Sequence, residues 1–237
     1  MAGPRRKSGP DPSEDAFVAG LLRIVTWAQK NQRALILAGG AIAILAGGIY
    51  YYIDYRGRLT EVASSEIQAL RNQARSDGGQ QVIQGLRSFL AQFGETAYAT
   101  EARVLLAETL LSQGQAAEAI EPARVAAQEI GEDALATRAG FLLAAAREEV
   151  GDTAGAVQAY QRIADGARMR SDRARALEGM ARLRAASGDV AAAIAAYDRL
   201  IELVEEENPR RTFYEMRRAE LQAERERITL GSGGDGG

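Results

Sequence analysis

The chain has 237 residues, 46% of them apolar, with no cysteine, no histidine and a formal net charge of −3. The missing residue types exclude disulfides, thiolate chemistry and both the commonest general base and the commonest zinc ligand. Beyond residue 33 the chain carries 23 bases and 29 acids, a balance that argues against nucleic acid as a partner.

Taken in chain order, residues 1–12 read as a disordered tail. Asp11-Pro12-Ser13-Glu14 is a helix-start signal: Asp11 can cap, Pro12 suits the first helical position and Glu14 can reach back. Phe17, Leu21, Ile24 and Ala28 then line one stripe over residues 13–32, with Trp27 near its end. This pattern predicts an amphipathic juxtamembrane helix on the inner face of a bilayer; a plain extension of the next helix is the alternative.

Residues 34–53, ALILAGGAIAILAGGIYYYI, contain no charge, and about 20 such residues cross a hydrocarbon core. A transmembrane helix is expected over 34–54. Lys30 and Arg33 precede it and Tyr50, Tyr51 and Tyr52 close it, where amphipathic rings suit the headgroup level. A cleavable signal peptide has a shorter apolar stretch after a shorter start. Residues 1–33 hold six bases against three acids, which sets the expected orientation of a single-pass protein in a plasma membrane, the inner one where the cell has two. Its N-terminus would be cytoplasmic and the rest periplasmic or otherwise extracytoplasmic. Gly39, Ala43 and Gly47 recur every four residues. They form a candidate transmembrane packing face, for a second copy or a partner's helix, although small residues are also ordinary filler in such helices.

The strongest signal is repetition. GQAAEAIEPARVAA from Gly114, GDTAGAVQAYQRIA from Gly151 and GDVAAAIAAYDRLI from Gly188 align without gaps at a spacing of 37 residues. Glycine ends a first helix in each. Ala107, Ala144 and Ala181 in the first helices, and Ala119, Ala156 and Ala193 in the second, are equivalent small residues that let two helices pack closely. Ile120, Val157 and Ile194 are expected in the interior, with Ala123, Tyr160 and Tyr197 one turn on. A weaker unit around Gly78 begins with a helix at about 57–75, continuous with the end of the span. Helical hairpins are thus expected at about 57–92, 97–130, 134–165 and 172–206. A densely charged capping helix follows over 209–229, then a Gly-rich flexible tail, 231–237.

This pattern resembles the tetratricopeptide repeat, with its small residue in helix A, turn glycine, alanine and aliphatic in helix B, and later aromatic. The period exceeds the family's 34, and the closing proline is absent. The resemblance implies an all-α solenoid whose first helices line a protein-binding groove. Carried across, the groove positions are Glu101, Val104, Glu108, Leu111 and Ser112, then Arg138, Phe141, Ala145, Glu148 and Glu149, then Arg175, Glu178, Arg182, Ala185 and Ala186. The basic clamp that some members use for a C-terminal carboxylate is absent as a pattern.

The whole layout, FVAGLLRIVTWAQKN before a span closing in GGIYYY and then degenerate hairpins, resembles the ancillary SecYEG translocon subunit family. The tetratricopeptide domain of that family is grouped with the cell-division coordinator domain. Membership would imply an adaptor beside the protein-export channel, with translocon subunits, exported chains or periplasmic chaperones as partners. An envelope scaffold for cell-wall synthesis, division or outer-membrane assembly is the alternative. No cofactor or metal is implied. Glu148 and Glu149 are sequence neighbours on a helix and do not converge for acid–base work, and no phosphate loop or nucleophile motif occurs. The chain therefore reads as a non-enzyme.

Overall fold

Gly114, Gly151 and Gly188 take φ of 69°, 78° and 79°, the left-handed conformation that costs glycine least. At each, the glycine amide donates three residues back, to Leu111, Glu148 or Ala185. The following amide donates five back, to Leu110, Arg147 or Arg184. These paired bonds satisfy the last carbonyls of a helix and turn the chain sharply. In the second and third turns an aspartate starts the next helix at once: the Gly155 amide donates to Asp152 and the Ala192 amide to Asp189. Arg147 and Arg184, again 37 residues apart, reinforce these turns by donating to the Gly155 carbonyl and to Asp189.

The computed structural model describes residues 27, 30–76, 79–131, 133–206 and 208–232. Among these the fold is all helical, without strands. The order is α1 (Gln32–Ser76), α2 (Gln80–Phe93), α3 (Ala99–Ser112), α4 (Ala116–Ala126), α5 (Ala134–Glu149), α6 (Thr153–Gly166), α7 (Arg170–Ala186), α8 (Val190–Leu203) and α9 (Pro209–Ser232). The chain divides into two compact units, Met1–Arg58 and Leu59–Gly237.

In the first unit Tyr50, Tyr51 and Tyr52 are exposed. The Tyr51 and Tyr55 rings stack with centroids 6.3 Å apart, and the Arg56 guanidinium lies 5.1 Å over the Tyr52 ring. The uncharged stretch 34–53 falls within α1. Among the described residues no helix is long and apolar enough to cross a membrane. The tail 1–12 lies outside the described residues, as does the amphipathic stretch before Trp27. Of the small-residue stripe, Gly39 has no described surroundings, Ala43 is exposed, and a Cβ at Gly47 would meet nothing within 4 Å.

The second unit is a stack of hairpins. Ala107, Ala144, Ala181, Ala119, Ala156 and Ala193 all have 0% exposure. At such fully buried positions a larger side chain would force the packed helices apart. Val157, Ile194 and Tyr197 are buried; Ile120 and Tyr160 are partly so. One hydrophobic cluster gathers Ile67 and Leu70 of α1 with Phe89 and Phe93 of α2 and Leu106 and Leu110 of α3. Another runs from Val157 and Ile163 to Leu200, Tyr214 and Leu221.

The spacing is less regular than the turns. Helix α4 has 11 residues where α6 and α8 have 14. Pro122 sits inside it and has no N–H to donate. A longer link to α5 follows, in which Gly131 has φ 101° and a Cβ would lie 2.5 Å from the Gly166 carbonyl oxygen. Only glycine fits there. At the C-terminal end, α9 buries Tyr214 and Leu221 but leaves Phe213, Met216, Ile228 and Leu230 exposed. It runs through Ser232, so the predicted tail starts as helix.

Candidate protein-binding groove

Helices α3 and α5 lie against one another, and three open cavities follow one another along α1, α3, α5, α7 and α9. The first, about 600 Å³, is walled by Arg71 and Arg75 of α1, Glu101, Val104, Leu105, Glu108, Thr109 and Ser112 of α3, and Leu135 and Arg138 of α5. The second, about 340 Å³, has Arg138, Phe141 and Ala145 of α5 facing Asp172 and Arg175 of α7. The third, about 430 Å³, has Arg175 and Glu178 of α7 facing Arg210 and Tyr214 of α9. Arg138 and Arg175 are shared walls, so the three form a row.

Apolar floor and polar rim alternate. Val104 is buried and still lines the first cavity. Phe141 is the aromatic of the second: its ring meets Tyr160 edge-on at 6.3 Å, and the Arg175 guanidinium lies 4.4 Å over it. A cation held over an aromatic face is attracted by the ring quadrupole.

Ion pairs stitch each first helix to the next. Arg71 pairs with Glu101 and Arg138 with Glu108. Arg182 donates to Glu148 at 2.6 Å, and Arg210 stands 3.8 Å from Glu178. The Tyr160 hydroxyl donates to the other Glu148 oxygen at 2.7 Å. Burial first, and then this bond to a carboxylate, push the Tyr160 hydroxyl up to about 12. Burial also raises Tyr214.

Glu101, Val104, Glu108, Arg138, Phe141, Arg175 and Glu178, together with Ser112 and Ala145, are thus brought onto the cavity walls. Leu111 packs against the core cluster of the leading hairpins. Glu148 points into the seam toward Tyr160 and Arg182, and Ala185 packs on the core. Arg182 is held in that seam, and Leu111, Glu148, Ala185 and Arg182 lie outside the walls of these three cavities. Glu149 and Ala186 are exposed at the turn end. The sequence reading also missed Arg71, Arg75, Leu135, Asp172, Arg210 and Tyr214. The first two lie in the weaker leading hairpin and the last two in the capping helix, where the 37-residue register gives no groove positions to transfer.

Residues 26–223 match the tetratricopeptide repeat-like domain family. The chain belongs to that family. This tetratricopeptide repeat-like domain is similar in structure to the nearly identical TPR-like repeats of a Podosopora anserina protein named as a kinesin light chain. The TM-score is 0.52 at 20% identity, covering 73% of this chain and 92% of that one. A point variant of the same protein gives TM-score 0.52 at 20% identity, with 73% and 91% covered. At that identity the likeness establishes the fold. No curated protein sequence matches. Tetratricopeptide repeats are scaffolds for protein–protein interaction, and this chain is a member of that class and not an enzyme.

Proposed function

We propose that this tetratricopeptide protein is a membrane-anchored adaptor, holding its repeat domain outside the cytosol to bind a segment of another protein. The row of three cavities along α3, α5 and α7 carries the binding part of the reading. Its mixture of apolar floor and fixed charge suits an extended chain or a partner's helix. The anchor rests on the sequence. Residues 34–53 are uncharged, follow a basic segment and end in three tyrosines, and they lie inside the family match that starts at residue 26. Association with the protein-export translocon and hand-over to periplasmic chaperones follows from the layout alone. An envelope scaffold would use the same groove.

Photo-crosslinking amino acids at Arg138 and Ala145 in living cells test this. Capture of translocon subunits or exported chains is the expected result. Capture of cell-wall or division proteins would move the role to the envelope scaffold. Reporter fusions test the anchor: alkaline phosphatase joined after Ser232 should be active, and a fluorescent protein requiring the cytosol should be dark there. The opposite pattern overturns the orientation, and extraction by alkaline carbonate overturns the anchor.

A further inference from the structure

We infer that the groove selects an acidic partner segment, one carrying carboxylates among apolar residues. This rests on the adaptor reading of the same groove and adds the partner's chemistry. The observation is an asymmetry within the seam pairs. Glu101, Glu108 and Glu148 have side chains 20%, 25% and 22% exposed, against 42%, 62% and 58% for Arg71, Arg138 and Arg182. In these three pairs the carboxylate is the less exposed partner, and in the fourth, Arg210 with Glu178, the exposures are 73% and 40%.

The consequence is a sign reversal. Beyond residue 33 the chain carries 29 acids and 23 bases, yet the walls of the three cavities carry Arg71, Arg75, Arg138, Arg175 and Arg210 against Glu101, Glu108, Asp172 and Glu178. A guanidinium has five donors in a rigid fork, and one carboxylate occupies at most two of them along one edge. At Arg71 and Arg138, which line the first cavity, the remaining donors are left for a ligand and the ion pair already restricts the side chain. Ordering that would otherwise oppose binding is largely complete before a ligand arrives.

Arg175 goes further. It is exposed and stacks on Phe141, and no ion pair holds it among the described residues. Phe141 and the shared wall at Arg175 therefore join an apolar contact to a cation that no ion pair holds, matching a segment that alternates carboxylate and apolar side chains.

The test uses the full chain in detergent micelles and fluorescein-labelled short peptides alternating Glu with Leu, beside versions with Gln or Lys in place of Glu. Anisotropy should show the Glu peptide binding at least about tenfold more tightly than the Gln peptide, with Arg175→Gln removing about tenfold. Raising salt from about 0.05 to about 0.5 M should weaken it further. Arg75→Gln is the second variant, since neither arginine holds a seam carboxylate; thermal melts identify a variant that has lost its fold. Gln or Lys peptides binding as tightly as Glu would overturn the acidic preference and leave the adaptor reading standing. An oligodeoxythymidylate of equal charge binding as well as the Glu peptide would overturn it too, because simple anion attraction would then suffice. No peptide binding at all, with no crosslink from Ala145, would sink both readings.

Discussion

Glu148 of α5 and Arg182 of α7 meet at 2.6 Å across the seam between two repeats, with the Tyr160 hydroxyl closing the triangle at 2.7 Å. The three residues come from three different helices. The contact therefore reports on whether adjacent hairpins are docked, beyond whether each has formed.

Glu148→Ala should lower stability by about 1–2 kcal/mol, because the half-buried Tyr160 hydroxyl loses its acceptor and Arg182 its counter-charge. Arg182→Ala should cost less, about 0.5–1 kcal/mol, since its guanidinium is largely solvated. The double variant should fall short of the sum in urea unfolding. Strict additivity would show that the triangle contributes nothing.

Alkaline pH should act through the same tyrosine. Its native hydroxyl is raised to about 12, whereas an unfolded tyrosine ionises near 10. The native state therefore keeps the proton more tightly. The stability this gives is complete below about pH 10 and is lost as pH rises toward about 12. Ultraviolet titration at the tyrosinate band should show Tyr160 ionising late, and Tyr160→Phe should flatten the alkaline loss of stability.

The turn glycines separate backbone strain from steric conflict. Gly151 has φ 78° with nothing within 4 Å of a Cβ, while at Gly131, φ 101°, a Cβ would lie 2.5 Å from the Gly166 carbonyl oxygen. Gly151→Ala should cost about 1 kcal/mol from conformation alone. Gly131→Ala should cost distinctly more, and equal losses in denaturant melts would contradict the geometry.

Facing alanines offer a fourth check. Ala144 is completely buried between its neighbours, so Ala144→Leu should destabilise by about 1–3 kcal/mol through overpacking. The exposed Ala186 should accept the same change with little loss. Thermal unfolding of the two variants decides the matter.

The repeat architecture was legible because close packing and left-handed turns leave marks on residue type. Alanine at six equivalent places and glycine at three can be counted in the sequence, and their register predicts what faces what. Side-chain direction near a helix end leaves a weaker mark. Leu111, Glu148 and Ala185 share a register position, and Leu111 and Ala185 pack on the core while Glu148 is held by Tyr160 and Arg182. Arg71 and Arg210 stayed hidden for another reason: a repeat pattern says least about its first and last members. The fate of each charge was also unreadable, since Glu108 is consumed by an arginine 30 residues away in the next hairpin.

The matching glycine–aspartate turns at Gly151 and Gly188 make the array interchangeable at those two joints. Excising residues 152–188 would join Gly151 directly to Asp189, recreating the same glycine–aspartate corner and letting α5 fold back on α8. The shortened protein would keep its ends and lose one station of the groove. Length of recognition would then change in a discrete step, as a ruler does when one division is removed.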